Sequence, residues 1–130
     1  MYKIRLMNEF LNGPIWVLNS DGISVWKYPL IEQDTMLSEL NQTAKQLFDS
    51  YYEFDSHNEP YWFNHEKEKA EKSTMIELIS RIKKRLDEIN DGSFTIEDLM
   101  LYKEKTFEFD ETKEVFNLIA SLREKYLCYI

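Results

Sequence analysis

The sequence predicts an α+β fold, mostly helical, in which a small N-terminal antiparallel sheet is packed by three to four helices. Three observations carry this. A chain of 130 residues is long enough for one core and short for two, so residues 1–130 are expected to form a single domain. An apolar content of 43%, with 15% aromatic, supports a packed interior despite 31% charged residues. Only three Gly and three Pro favour long regular elements joined by short connections.

Tyr2, Ile4 and Leu6 alternate with Lys3 and Arg5, which is strand periodicity. Asn12, Gly13 and Pro14 then interrupt the chain before a short run of strand formers, Ile15 to Leu18. A turn signal over Asn19 to Gly22 precedes a second alternation, Ile23, Val25 and Lys27 against Ser24 and Trp26, so a sheet of two or three antiparallel strands is expected.

Pro29 closes this region, and Asp34 or Thr35 is suited to cap a helix through its short side-chain oxygen. Leu37, Leu40, Ala44, Leu47, Phe48 and Tyr51 share one helical stripe, which predicts a helix from Asp34 to about Phe54. The pattern restarts near Asn64 with alternating charges and continues as Met75, Leu78, Ile79, Ile82, Leu86 and Ile89, ending at Asn90, Asp91 and Gly92. Thr95 with Asp98 resembles a capping pair for a shorter helix through about Tyr102. Thr106 to Phe109 suits a short strand or an extended link. Asp110 is placed to cap a last helix bearing Val115, Phe116, Ile119, Leu122 and Tyr126, followed by an apolar tail, Leu127 to Ile130, expected to pack down.

A net charge of -8 argues against nucleic-acid binding and against anionic membranes, because phosphate contact needs a basic surface. The single cysteine, Cys128, excludes an intrachain disulfide and suits a reducing compartment. No run of signal-peptide or membrane-span length occurs in the chain, so a cytoplasmic location is expected.

The acid is unevenly spread. Gln46 to Glu66 holds Asp49, Glu53, Asp55, Glu59 and Glu66 with no Lys or Arg, together with Phe48, Tyr51, Tyr52, Phe54, Tyr61, Trp62 and Phe63. It joins the two longest predicted helices, with Asp55 to Pro60 as the break. A second acidic run, Leu86 to Tyr102, carries Asp87, Glu88, Asp91, Glu97 and Asp98. Tyr61, Trp62 and Phe63 admit two readings: a hydrophobic plug sealing the turn, or an exposed aromatic anchor of the kind that dominates interface energetics.

Enzymatic signatures are missing. His57 and His65 lie near Asp55, Glu59 and Glu66 but in no metal-binding motif, and the glycines at 13, 22 and 92 are too scattered for a phosphate loop. Carboxylate pairs such as Glu53 with Asp55, or Asp87 with Asp91, arise by chance in so acidic a chain. No catalytic residue, cofactor or metal is therefore expected. The expected partner-binding surface is Glu53, Asp55, Glu59, Tyr61 and Trp62, weighted above the second acidic run because it pairs steering charge with aromatics.

Arg5, Leu6 and Met7, then Gly13, Pro14, Ile15 and Trp16, then Asp21 and Gly22, and finally Pro29 and Leu30 form an opening similar to small bacterial immunity-type proteins. Those have a short N-terminal sheet with a G-P-x-W-like segment, followed by Pro-Leu and a helix. They accompany secreted polymorphic or contact-dependent inhibition toxins, often nucleases, and block them by binding. The resemblance spans Met1 to roughly Asp55. It implies a non-enzymatic protein that inhibits a cognate toxin domain, a basic nuclease being a good electrostatic fit, and carries over no contact residues. The alternative is a cytosolic adaptor or structural subunit acting through homo- or hetero-oligomer contacts.

Overall fold

The computed structural model describes residues 1–100 and 112–126. The first alternation forms strand β1, Tyr2–Leu6, with Ile4 and Leu6 wholly buried. Strand β2, Ile15–Leu18, pairs antiparallel to it, with Leu6 opposite Ile15 and Lys3 opposite Leu18. The connection depends on Gly13, where a Cβ would stand 2.3 Å from the Asn41 amide nitrogen. Asn41 meanwhile accepts the Ile15 N–H through Oδ1 at 2.9 Å. Gly13→Ala should push Asn41 away and orphan that amide, lowering stability by about 1–3 kcal/mol in urea unfolding. An unchanged midpoint would mean that Asn41 swings aside freely.

The third strand differs from expectation. Beyond the turn at Gly22 (φ +78°), the chain returns to β2 only through a Leu18–Ser24 bridge and a Val25 N–H to Val17 carbonyl bond of 2.9 Å. The sheet is completed instead by Phe94–Asp98, which runs parallel to β1 with Ile4 opposite Ile96. The sheet is therefore mixed, in the order Ile15–Leu18, Tyr2–Leu6, Phe94–Asp98. Thr95 and Asp98, read as a capping pair, lie on a strand because Phe94 is buried at its start and Glu97 bonds to Lys3 and Arg5 of β1. Cross-strand contacts outweigh the local capping signal.

Helix α1, Pro29–Glu32, is one turn; α2, Thr35–Asp49, begins at Asp34, whose carboxylate accepts the Leu37 N–H at 2.9 Å. The expected stripe of α2 is buried at Leu37, Leu40, Ala44 and Leu47. The helix ends sooner than its periodicity suggests. Ser50 closes it, its hydroxyl donating to the Leu47 carbonyl at 2.6 Å, and Tyr52–Ser56 (β3) and Glu59–Phe63 (β4) follow as a separate antiparallel pair.

Helices α3, His65–Ala70, and α4, Lys72–Ile89, divide at Glu71 what the sequence suggests is one helix. The α4 stripe is buried as expected from Met75 through Leu86. In chain order the parallel strand Phe94–Asp98 is β5, and the last helix, α5, is Thr112–Tyr126, with Val115, Ile119 and Leu122 buried. Helix α2 lies between α4 and α5, and their apolar stripes meet Ile4, Leu6 and Phe94 of the sheet in one core. The fold is α+β. Expectations for Thr106 to Phe109, for Asp110 and for Leu127 to Ile130, including Cys128, fall outside the described residues.

Candidate functional site

All five expected partner-binding residues lie on the β3–β4 hairpin. Its register sets Tyr52 opposite Phe63, Glu53 opposite Trp62, Phe54 opposite Tyr61 and Ser56 opposite Glu59. The two turn residues, His57 and Asn58, have φ of 54° and 59°. Positive φ at both central positions fits the twist of a tight hairpin, and Asn tolerates that region well. Asp55, at φ 55°, is left-handed too. The predicted break between two helices is thus a pair of strands, each joined to its helix by a residue or two.

Alternation divides the hairpin into two faces. One carries Tyr52, Phe54, Tyr61 and Phe63. At its base Tyr52 and Phe63 lie 5.0 Å apart between ring centroids, Phe10 approaches Tyr52 at 4.5 Å, and Phe63 meets the buried Tyr51 at 5.9 Å. Farther out, Phe54 is 58% and Tyr61 65% exposed. Phe63 seals the base, as the plug reading expects, while Tyr61 faces solvent.

The other face carries Glu53 and Trp62. Trp62 is half-buried, its indole stacked on His57 at 3.8 Å and 21°. Glu53 accepts a 3.0 Å bond from Asn64 Nδ2, and Asn64 in turn caps α3 by accepting the Lys67 N–H at 2.9 Å. The hairpin is therefore tied at its foot to the start of α3. Glu59 and Asp55 are exposed, and no Lys or Arg occurs in either strand or the turn.

The second acidic run is differently placed and largely paired. Glu97 lies 3.0 Å from both Lys3 and Arg5, and hydrogen bonds from Lys3 first and then Arg5 hold its carboxyl below the ordinary value. Asp98 meets Lys83 at 2.9 Å, and Asp91 is lowered by hydrogen bonds from the Ser93 hydroxyl and amide. Asp87 sits fifteen residues along α4 from Lys72, roughly 22 Å at helical rise, so it and Asp91 do not join the hairpin surface.

Neither histidine stands in a ligand cluster. Besides stacking on Trp62, His57 bonds to the Ser56 hydroxyl at 3.0 Å, and His65 packs edgewise on Phe63 at 4.6 Å. Among the described residues, no group of three His, Cys, Asp or Glu side chains is arranged to hold a metal ion. No helix among them is long and apolar enough to cross a membrane.

Two residues escape the expected site. Phe54 belongs with Tyr61, a pairing visible only once the strands are in register. Trp26, on the outward side of the alternation after Gly22, is 94% exposed. The molecule is a small α+β domain with an acidic, aromatic hairpin projecting between α2 and α3. Comparison with known protein families, with curated proteins and with solved structures finds no match to this chain.

Proposed function

We propose that the protein is a non-enzymatic inhibitor that binds a protein partner through the β3–β4 hairpin, as an immunity protein binds its toxin, with a basic toxin domain as that partner. The supporting observation is the combination on one hairpin of Glu53, Asp55 and Glu59, without a cation, and the exposed rings of Phe54 and Tyr61. Carboxylates steer a cationic surface into encounter, and rigid aromatics then supply the buried contact. A nuclease surface adapted to phosphate is cationic and meets this chemistry well.

The test is protection in cells. A toxin domain encoded beside this gene is expressed with the wild-type chain or with the Phe54→Ala, Tyr61→Ala double variant. Wild type should restore growth, and the double variant should bind with dissociation accelerated by roughly 30-fold or more, since each ring is an interface anchor. Absence of protection by the wild type would overturn the reading. Full binding by the folded double variant would remove the hairpin from it. Trp62→Ala separates the two faces: its stack on His57 predicts a loss of thermal stability, measured by calorimetry, with smaller change in dissociation than for Tyr61→Ala.

A further inference from the structure

The two faces of the β3–β4 hairpin differ in how far the chain itself engages their side chains. Opposite the rings, Trp62 stacks on His57 at 3.8 Å and Glu53 accepts the Asn64 amide at 3.0 Å, so that face is met from within. The ring face is not. Tyr61 is exposed, and among the described residues its ring packs on no other ring and its hydroxyl bonds to no group. Strand β4 contains no left-handed residue, so alternation sets Glu59 on the same face as Tyr61, roughly 7 Å away along the strand. Glu59 is exposed and forms no ion pair with a described residue. Phe54 stands directly across from Tyr61, and Phe10 packs against it at 5.8 Å, which holds this second exposed ring in place.

An exposed ring beside an unpaired carboxylate suits a planar cation, because a guanidinium can lie flat on the negative face of the ring while its N–H fork meets the carboxylate. Resting on the reading of this hairpin as the surface that meets a basic partner, we propose that the ring face selects arginine. A partner guanidinium stacks on Tyr61 and pairs with Glu59. Lysine carries the same charge, but its ammonium is compact and strongly hydrated and offers neither a plane to stack nor a rigid fork, so it gains from the acid and little from the ring. The charge of -8 draws both cations towards the protein. Ring and carboxylate together discriminate between them, and the partner is a protein whose contacting surface presents arginine.

Hexaarginine and hexalysine, each acetylated and amidated, test this without the toxin. Titrated calorimetrically into the full chain at about 0.15 M salt, where long-range attraction is screened, hexaarginine should bind roughly three- to tenfold tighter. Amide shifts of the labelled protein should concentrate at Phe54, Glu59 and Tyr61. Tyr61→Ala should abolish the preference and Tyr61→Phe should keep it, since the ring rather than the hydroxyl is used. Tyr61 is a surface residue, so both variants are expected to fold, as circular dichroism would verify. Glu59→Gln should lower hexaarginine affinity more than hexalysine affinity, whereas Glu53→Gln removes the same charge from the opposite face and should lower both alike. Equal affinities overturn the proposal. So does failure of either peptide to bind, a preference that survives Tyr61→Ala, or shifts centred away from the hairpin. The toxin reading fails separately: equal peptide affinities leave growth protection standing, and absence of protection leaves an arginine preference on the hairpin intact.

Discussion

Asp34→Ala is expected to lower the unfolding free energy by about 2–3 kcal/mol at neutral pH. One carboxylate serves two elements. It caps α2 through the Leu37 N–H at 2.9 Å, and it receives the Arg85 guanidinium of α4 at 2.7 Å from Nη2 and 3.1 Å from Nε. The cap accounts for about 1 kcal/mol. The remainder is the cost of leaving Arg85, whose side chain is 29% exposed, with only the longer 3.7 Å contact to Glu88.

Burial by itself would raise the Asp34 carboxyl, but the Arg85 hydrogen bond, the Leu37 amide and the Arg85 charge together outweigh it and hold the group below 3.8. A depressed carboxyl contributes stability that is present above its unfolded-state value and lost as pH falls through the folded one. The gap between wild type and Asp34→Ala should therefore narrow below about pH 4, and urea unfolding at pH 7 and near pH 3 would measure it. Asp34→Asn should retain the cap and lose the pH-dependent part. A gap of equal size at both pH values would show that the ion pair contributes nothing.

Removing the acid from the hairpin should slow association with a basic partner by roughly 10- to 100-fold at low salt. The suitable variant combines Glu53→Lys and Glu59→Lys with Asp55→Asn, since Asp55 has φ 55° and Asn accepts that conformation more readily than Lys. Its association rate should respond less to salt than the wild-type rate, because steering is a screened, long-range effect. Dissociation should change little. Tyr61→Ala should do the reverse, leaving the encounter intact and shortening the complex's lifetime. Equal association rates for wild type and a folded charge variant would rule out steering by this surface.

The same hairpin shows where reading the sequence stopped. Leu47, Phe48 and Tyr51 continue the α2 stripe, so periodicity alone extends the helix towards Phe54. The structure ends it at Asp49 because Phe48 and Tyr51 serve a ring cluster with Tyr52 and Phe63 rather than another helical turn. The signal that marks the turn is faint: His57-Asn58 is less diagnostic than Asn-Gly, and Pro60 argues against a strand unless it lies on an edge. With only two strands, every position here is an edge.

Sequence alone determined the stripes of α2 and α4, the alternation in β1, a helix cap at Asp34 or Thr35 and the gathering of acid and aromatics between Gln46 and Glu66. Those features are local, since residues three or four apart on a helix, or two apart on a strand, share a face whatever the rest of the chain does. Tertiary structure decided that Phe94–Asp98 is a strand, that Glu97 and Asp98 find cations on β1 and α4, and that Phe54 and Tyr61 stand side by side. Strand pairing and ion pairing depend on partners distant in sequence: Arg5 and Glu97 lie 92 positions apart. Trp26 belongs with these, because an alternating pattern shows which side of a strand a residue takes, while only the packed chain shows that nothing covers it.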